Sequence, residues 1–300
     1  MPELPEVETI RRNLEPHLRG KRVVSVSDAT HPRTLRYQEN GIDELRKHLV
    51  NRQITAVVRR GKFLWLVLGD ETSTEPGVML VIHLGMSGQL RLVASHDAPL
   101  RHERLRCILG DDEALVFCDQ RTFGHLELRP AQPTLDHLPG GCGSDLPLMP
   151  AGLEHIARDV LDTYRDPEVF IQKALRSTRA IKTKLLDQTC ISGIGNIYAD
   201  EGLFAAGIHP AVACSRLDSR KLAEVVDSVQ KTMEHALDFG GTSFDRLYVN
   251  SWGNPGEFSR ELMVYGRSGR ECRRCGATLA KIVIDQRSSV YCPHCQQQPY

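Results

Sequence analysis

Three things are missing from this 300-residue chain: net charge, a long apolar run and an even number of cysteines. Its 38 Lys and Arg are balanced by 38 Asp and Glu, which excludes a uniformly basic nucleic-acid binder but not local basic patches. No apolar stretch approaches the roughly 20 residues that a membrane-spanning helix needs. The opening MPELPEVE is acidic and punctuated by proline, unlike a basic-apolar signal peptide or an Arg-rich transit peptide, so a soluble, cytosolic protein is expected. Nine cysteines make a complete disulfide framework untenable. No internal repeat or low-complexity tract is visible.

What is present falls into successive regions. An amphipathic helix is expected at the start, with Val7, Ile10, Leu14 and Leu18 on one face and Pro5 in the first turn. A second fits Ile42 to Leu49. Eight short β-branched or aromatic runs follow the same stretch of chain, from Val23–Val26 to His125–Leu128, punctuated by Gly, Asp and Pro. That spacing predicts an antiparallel sandwich or barrel over residues 1–138. Residues 139–152, with the sequence PGGCGSDLPLMPAG from Pro139 onward, read as an interdomain linker. A helical domain is expected over 153–259, ending in a long Gly/Asn/Ser-rich loop, and a cysteine-rich segment over 260–300. The fold class is therefore α+β.

The last segment carries the clearest chemistry. Cys272-x2-Cys275 and Cys292-x2-Cys295 are separated by 16 residues, enough for a hairpin that brings two thiolate pairs to one metal. Four thiolates make a closed tetrahedral site, so one structural Zn²⁺ is expected, with no open position for catalysis. His294, between two ligands, reads as a surface residue, and the other five cysteines as reduced, mostly buried thiols. Residues 260–300 also hold seven Arg or Lys against three acids, and Arg176, Arg179, Lys182 and Lys184 form a second basic cluster. Both suit phosphate contact, although a solvated charged face would look the same.

The N-terminus offers a nucleophile. Removal of Met1 would expose Pro2 as a secondary amine followed at once by Glu3. A terminal amine titrates much nearer neutrality than lysine, and a helix N-terminus lowers it further. Such an amine can attack a sugar carbon while the neighbouring acid protonates the departing group. Taken alone, such a proline is in most chains no more than a helix-start signal.

Together these motifs, PELPEVE (2–8), RGKFL (60–64), HLGMSGQL (83–90), DQRTFG (119–124), AIKTKLLDQ (180–188), ISGIGNIYADEGLFAAGIHP (191–210), VYGRSG (264–269) and a finger ending YCPHCQ, resemble the formamidopyrimidine-DNA glycosylase family over nearly the whole chain. The resemblance implies a bacterial bifunctional DNA glycosylase and abasic-site lyase of base excision repair. Its fold would be a β-sandwich, a helix–two-turn–helix domain and a zinc-finger hairpin. It would be a cytoplasmic, nucleoid-associated monomer acting on double-stranded DNA that carries an oxidised purine, with no membrane partner. By the same resemblance, Pro2 forms a Schiff base with the sugar, Glu3 is the general acid and Lys62 assists from the β-domain. Met86, Arg121 and Phe123 fill the gap left by the extruded nucleotide, a step that costs a few kcal/mol of stacking. His102, Lys182 and Asn196 match DNA-contacting positions, and Arg287 the finger arginine that grips phosphates around the lesion. The stretch 241–258 occupies the place of a lesion-capping loop.

The chain departs from the family pattern at Gln120 and Thr122, where DPRRFG versions have proline and arginine, at Ser177, and throughout the expected linker. None of these touches Pro2, Glu3 or Lys62. Two other readings stay open: a same-fold enzyme that prefers oxidised pyrimidines, and a lesion-binding protein without catalysis.

Overall fold

The structure, a computed structural model, describes residues 2–69, 77–243 and 249–297. Residues 70–76 and the centre of the expected capping loop, 244–248, lie outside the described residues. The chain divides into two compact units: Met1–Glu154 with Gly240–Glu257, and His155–Phe239 with Phe258–Tyr300.

The first unit opens with α1 (Leu4–Leu18), whose Val7, Ile10, Leu14 and Leu18 are all fully buried, as their spacing demands. After β1 (Val23–Val26) and a 3₁₀ turn at Pro32–Leu35 comes α2 (Gly41–Leu49). Eight further strands follow: β2 (Gln53–Arg60), β3 (Phe63–Gly69), β4 (Val78–His83), β5 (Gly88–Ala94), β6 (Glu103–Leu109), β7 (Glu113–Asp119), β8 (His125–Pro133) and β9 (Leu148–Pro150). They form a four-stranded sheet, β1-β6-β7-β5, and a five-stranded sheet, β2-β3-β4-β8-β9, with every paired neighbour antiparallel. One apolar core joins them, with Ile54, Leu64, Leu66 and Ile82 from one sheet, Leu90, Leu105, Leu115 and Phe117 from the other, and the buried stripes of both helices. Each such side chain contributes about 1.5–3 kcal/mol by leaving water.

The four-part division expected from sequence needs two corrections. The stretch 139–152 is built into the sandwich rather than linking domains. Met149 and Pro150 in β9 pair with Gln132 and Ala131 of β8, and Cys142 exchanges two 2.9 Å backbone bonds with Arg59. Its glycines answer close approach, not flexibility: a Cβ on Gly140 would sit 2.0 Å from the Leu148 carbonyl oxygen, and one on Gly141 2.4 Å from that of Arg59. Between them they cover the ring of the buried Trp65. The second correction is that 240–257 groups with the sandwich, and the finger with the helices.

The second unit holds α3 (Pro167–Leu175), α4 (Ile181–Leu185), α5 (Asn196–Ala205) and α6 (Ser219–Asp238), then the hairpin β10 (Ala280–Ile284) and β11 (Arg287–Tyr291). Asp166 and Asp218 cap α3 and α6 with side-chain bonds to Glu168 N and Lys221 N. Residues 153–166, expected to be helical, form turns instead. Their acids are spent on the backbone: Asp159 accepts from Leu161 N and Asp162 from Tyr164 N, bonds that compete with a helix. Among the described residues no helix is long and apolar enough to cross a membrane.

Candidate active site

In the first unit the register of one sheet gathers the expected site residues. Phe63 pairs with His83, and His83 with His125, so the three form one row across β3, β4 and β8. The turn carrying Lys62 precedes Phe63, the turn carrying Met86 follows His83, and the 120–124 turn precedes His125. All three turns therefore leave the same end of the sheet. Beneath them the rings touch: Phe63 to His83 with centroids 4.7 Å apart, His83 stacked on His125 at 5.4 Å. Burial first, then the electrostatic influence of the neighbouring His125, Lys62 and Arg36, pushes the His83 imidazole down to about 4. It is a neutral platform at pH 7.

The Met86 turn and the 120–124 turn lie against each other. Gly85 adopts φ +60°, and a Cβ there would come within 2.4 Å of the Phe123 carbonyl carbon. Asp119 organises the junction: one carboxylate oxygen accepts from Ser87 Oγ (2.6 Å) and Arg121 N (3.2 Å), the other from Gly124 N (2.7 Å). Above this frame Met86, Arg121 and Phe123 are exposed, with the Arg121 guanidinium 5.3 Å from the Phe123 ring centroid. An exposed Met–Arg–Phe trio on a rigid base has the form of a wedge. His102, at φ +61°, accepts from Asp119 N through its carbonyl, and its Nε2 is buried with no hydrogen-bond partner.

Pro2 and Glu3 are buried at the start of α1, where Glu3 is the N-cap and donates its amide to Glu6 at 2.8 Å. The other Glu6 oxygen accepts from Thr242 N at 2.7 Å, fixing one foot of the 240–257 segment to the same helix end. Its other foot is held by Arg91 and Leu92 of β5 through the Ser251 carbonyl, and by Trp252 edge-on to His17 at 4.8 Å. A buried chain of charge ties α1 to the Lys62 turn. Glu8 accepts from Arg11 Nε (3.0 Å) and Arg59 Nε (2.8 Å), and Arg59 donates onward to the Gly61 carbonyl at 3.1 Å. Burial alone would raise the Glu8 carboxyl, but Arg59 and Arg11 together hold it down at about 2.

The second unit treats its motif residues differently. Lys182, expected to face DNA phosphates, is fully buried: its ammonium donates to Asp200 at 2.7 Å and to the Ser288 carbonyl at 2.9 Å. That is a correction, because an ammonium already committed on two sides inside the protein is a fastener and not a phosphate contact. Asp200 also accepts from Ser289 Oγ and Val290 N, and Glu201 accepts from the amides of Met263, Val264 and Tyr265. Asn196 opens α5 after Gly195 at the N-cap, donating to the Ser288 carbonyl at 3.0 Å while its Oδ1 is buried with no hydrogen-bond partner. Arg287 is exposed at the tip of the hairpin, where Asp285 and Gln286 turn the chain at φ +45° and +63°. It lines, with Arg179 and Thr183, a cleft of about 360 Å³ between α4 and the hairpin.

Cys272, Cys275, Cys292 and Cys295 present sulfurs that all lie within 4.8 Å of one another. Cys292 Sγ accepts from Cys295 N and Cys272 Sγ from Arg274 N, both at 3.4 Å. The donor set and its closure fit one structural Zn²⁺. His294 is exposed, and all nine cysteines are free of disulfides.

Sequence reading passed over four residues that this geometry singles out: Glu6, Arg36, Arg59 and Asp119. Asp119 and Glu6 lie inside recognised motifs and could have been weighed. Arg36 carried no signal, since the turn carbonyls it holds stand more than 85 residues away.

Comparison with known proteins agrees with this arrangement. Residues 1–126 match the formamidopyrimidine-DNA glycosylase N-terminal domain, 156–247 the formamidopyrimidine-DNA glycosylase H2TH domain, and 269–298 the zinc finger found in FPG and IleRS. The chain is 47% identical over 302 residues to the formamidopyrimidine-DNA glycosylase of Mycolicibacterium gilvum, covering 100% of this chain and 99% of that one. It is 44% identical over 297 residues to that of Corynebacterium jeikeium, covering 99% and 100%. Among solved structures, a Lactococcus lactis FPG mutant in complex with Fapy-dG-containing DNA superposes with TM-score 0.80 at 33% identity, covering 99% of this chain and 100% of that one. The wild-type Lactococcus lactis FPG complexed with oxidised-pyrimidine-containing DNA gives TM-score 0.79 at 33% identity, with the same coverage. By sequence over its full length and by fold, this chain belongs to the formamidopyrimidine-DNA glycosylase family.

Proposed function

We infer that this chain is a base-excision-repair DNA glycosylase with abasic-site lyase activity, and that its chemistry starts at Pro2. The observation that carries the reading is the convergence, at one end of one sheet, of the Lys62 turn with the Met86–Arg121–Phe123 wedge, tied through Arg59 to the helix that begins beside Pro2. With Met1 removed, the Pro2 nitrogen would attack the anomeric carbon of the damaged nucleotide. The bond to the base breaks, and the base leaves with its electron pair and takes up a proton. Glu3 would supply the proton that opens the sugar ring. The resulting iminium acidifies the neighbouring sugar C–H, so β- and then δ-elimination expel the two phosphates and leave a one-nucleotide gap. Lys62 would place positive charge beside the reacting sugar and phosphate.

Met86, Arg121 and Phe123 would occupy the space vacated by the flipped nucleotide, with Arg121 also donating to the base opposite. His102, Asn196 and the exposed Arg287 would hold backbone phosphates, while the structural zinc keeps the hairpin that carries Arg287 folded. We place the enzyme in the bacterial cytoplasm, acting as a monomer on nucleoid DNA, in keeping with its bacterial relatives. Oxidised purines are the substrate class proposed, on the PELPEVE opening. The Lactococcus lactis complex with an oxidised pyrimidine favours that lesion as a second class.

Borohydride trapping on a duplex with one 8-oxoguanine opposite cytosine tests this, comparing the parent chain with Pro2→Gly and Glu3→Gln. A covalent adduct mapped to Pro2, with strand cleavage, is expected. No adduct and no cleavage, with tight binding retained, would leave a lesion-binding protein. Parallel duplexes carrying an oxidised pyrimidine rank the two lesion classes.

A further inference from the structure

The 120–124 turn joins β7 of the four-stranded sheet to β8 of the five-stranded one, so neither sheet's hydrogen-bond ladder fixes it. The amides of Arg121 and Gly124 are held by Asp119 at its start and, for Arg121, by Ser87 of the adjoining Met86 turn. The carbonyls of the 120–124 turn converge on a side chain from a distant part of the chain. Arg36 Nη1 donates to Thr122 O at 3.3 Å and Gly124 O at 3.1 Å, and Nη2 to Phe123 O at 2.6 Å. Nη2 also lies 3.2 Å from His125 Nδ1, and Nη1 bonds the Arg33 carbonyl of its own 3₁₀ turn at 3.0 Å. The guanidinium sits 5.0 Å from the Tyr37 ring centroid. Only arginine has the planar fork of donors to reach several carbonyls at once.

The carbonyl side of the turn needs its own hold. Thr122 adopts φ +55°, a left-handed conformation that a β-branched residue keeps only when its surroundings impose it. Position 120 is glutamine, so no proline ring stiffens the turn from inside. Asp119 takes the amides and Arg36 the carbonyls, and between them the peptide groups that bracket Arg121 and Phe123 have one arrangement.

We propose that Arg36 is a positioning residue for opposite-base reading: it clamps the 122–124 backbone so that Arg121 and Phe123 meet the duplex in a single geometry. The proposal rests on the reading of Arg121 and Phe123 as the residues that fill the vacated space. Arg36 touches neither the lesion nor the sugar. Its removal lets the turn sample several conformations, which blurs discrimination at Arg121 and leaves the chemistry at Pro2 in place.

The test is single-turnover excision of 8-oxoguanine opposite cytosine and opposite adenine, for the parent chain, Arg36→Met, Arg36→Lys and Arg121→Ala. The cytosine-to-adenine rate ratio is the readout, because it does not depend on the fraction of folded enzyme. Arg36→Met is expected to lower the ratio about three- to tenfold, the scale of coupling between contacting groups. Arg36→Lys is expected to recover less than half of that loss, and it serves alone if Arg36→Met is insoluble. Arg121→Ala is expected to collapse the ratio. If Arg121→Ala collapses it while both Arg36 variants stay within about twofold of the parent, the clamp is overturned and the void-filling reading stands. An unchanged ratio in Arg121→Ala removes the void-filling reading and the clamp with it. Weaker binding to undamaged duplex with an unchanged ratio would make Arg36 a phosphate contact, which also overturns the proposal.

Discussion

The two units use motif residues in opposite ways. In the sandwich, Met86, Arg121 and Phe123 stand outward on turns that Asp119 braces, while buried Arg59 and Glu8 hold the Lys62 turn to α1. In the helical unit the residues that look most functional face inward: Lys182, Asp200 and Glu201 are all buried and bind the α4–α5 region to the finger. A charged motif residue is thus a candidate for DNA contact only after its partners are counted. A sheet supplies many strand ends and so many turns from which to project side chains. A helical domain with a metal finger has fewer, and it needs internal charge pairs to fix how its pieces pack.

Removing the metal should break this contrast most sharply. Structural zinc contributes about 10–16 kcal/mol in finger peptides, so chelation should unfold the hairpin that carries Arg287. DNA cleavage should fall on the order of 100-fold or more, since phosphate contacts dominate affinity. Hydrogen exchange should show protection lost in β10 and β11 and kept in β2–β4. Loss in both would mean that the units do not fold independently.

Lys182→Met should be the next largest effect. It strands the buried Asp200 carboxylate, at a cost of about 3–5 kcal/mol. Thermal melts and zinc retention would both register it, and adding Asp200→Asn should recover part of the loss. A variant that keeps its stability but binds DNA weakly would return Lys182 to the phosphate interface.

Glu8 gives the corresponding effect in the sandwich, read through pH. Its folded carboxyl lies at about 2, below the ordinary 4.5, so the unfolded chain takes up the proton first. The stabilisation is present in full above about pH 5 and is lost as pH falls toward 2, roughly 3 kcal/mol in all. Glu8→Gln should flatten that part of the stability–pH curve and cost a similar amount at pH 7. The smallest effect belongs to Asp285, whose exposed carboxylate accepts from Thr183 and Arg179. Asp285→Ala should leave the melting temperature nearly unchanged and raise amide exchange only at the hairpin tip.

Much of this molecule was legible before its fold. Both N-terminal helices and all eight expected strands are present, because alternation and helical spacing record burial locally. The metal site was legible for a similar reason: two CxxC turns need only one hairpin between them to meet. The stretch 139–152 misled because glycine serves flexible chain and close contact alike, and composition does not separate the two. Residues 153–166 misled because aspartates that could have stood on a helix surface bond the backbone instead.

By itself the sequence determined the secondary elements, the zinc ligands, the family and the candidate nucleophile, all properties carried by residues near one another in the chain. Tertiary structure alone decided which charges are available. It buried Lys182, left Arg287 at a hairpin tip, joined Glu6 to Thr242 and brought Arg36 to the 122–124 carbonyls. Desolvation and hydrogen-bond geometry set those roles, and both depend on partners that only folding brings together.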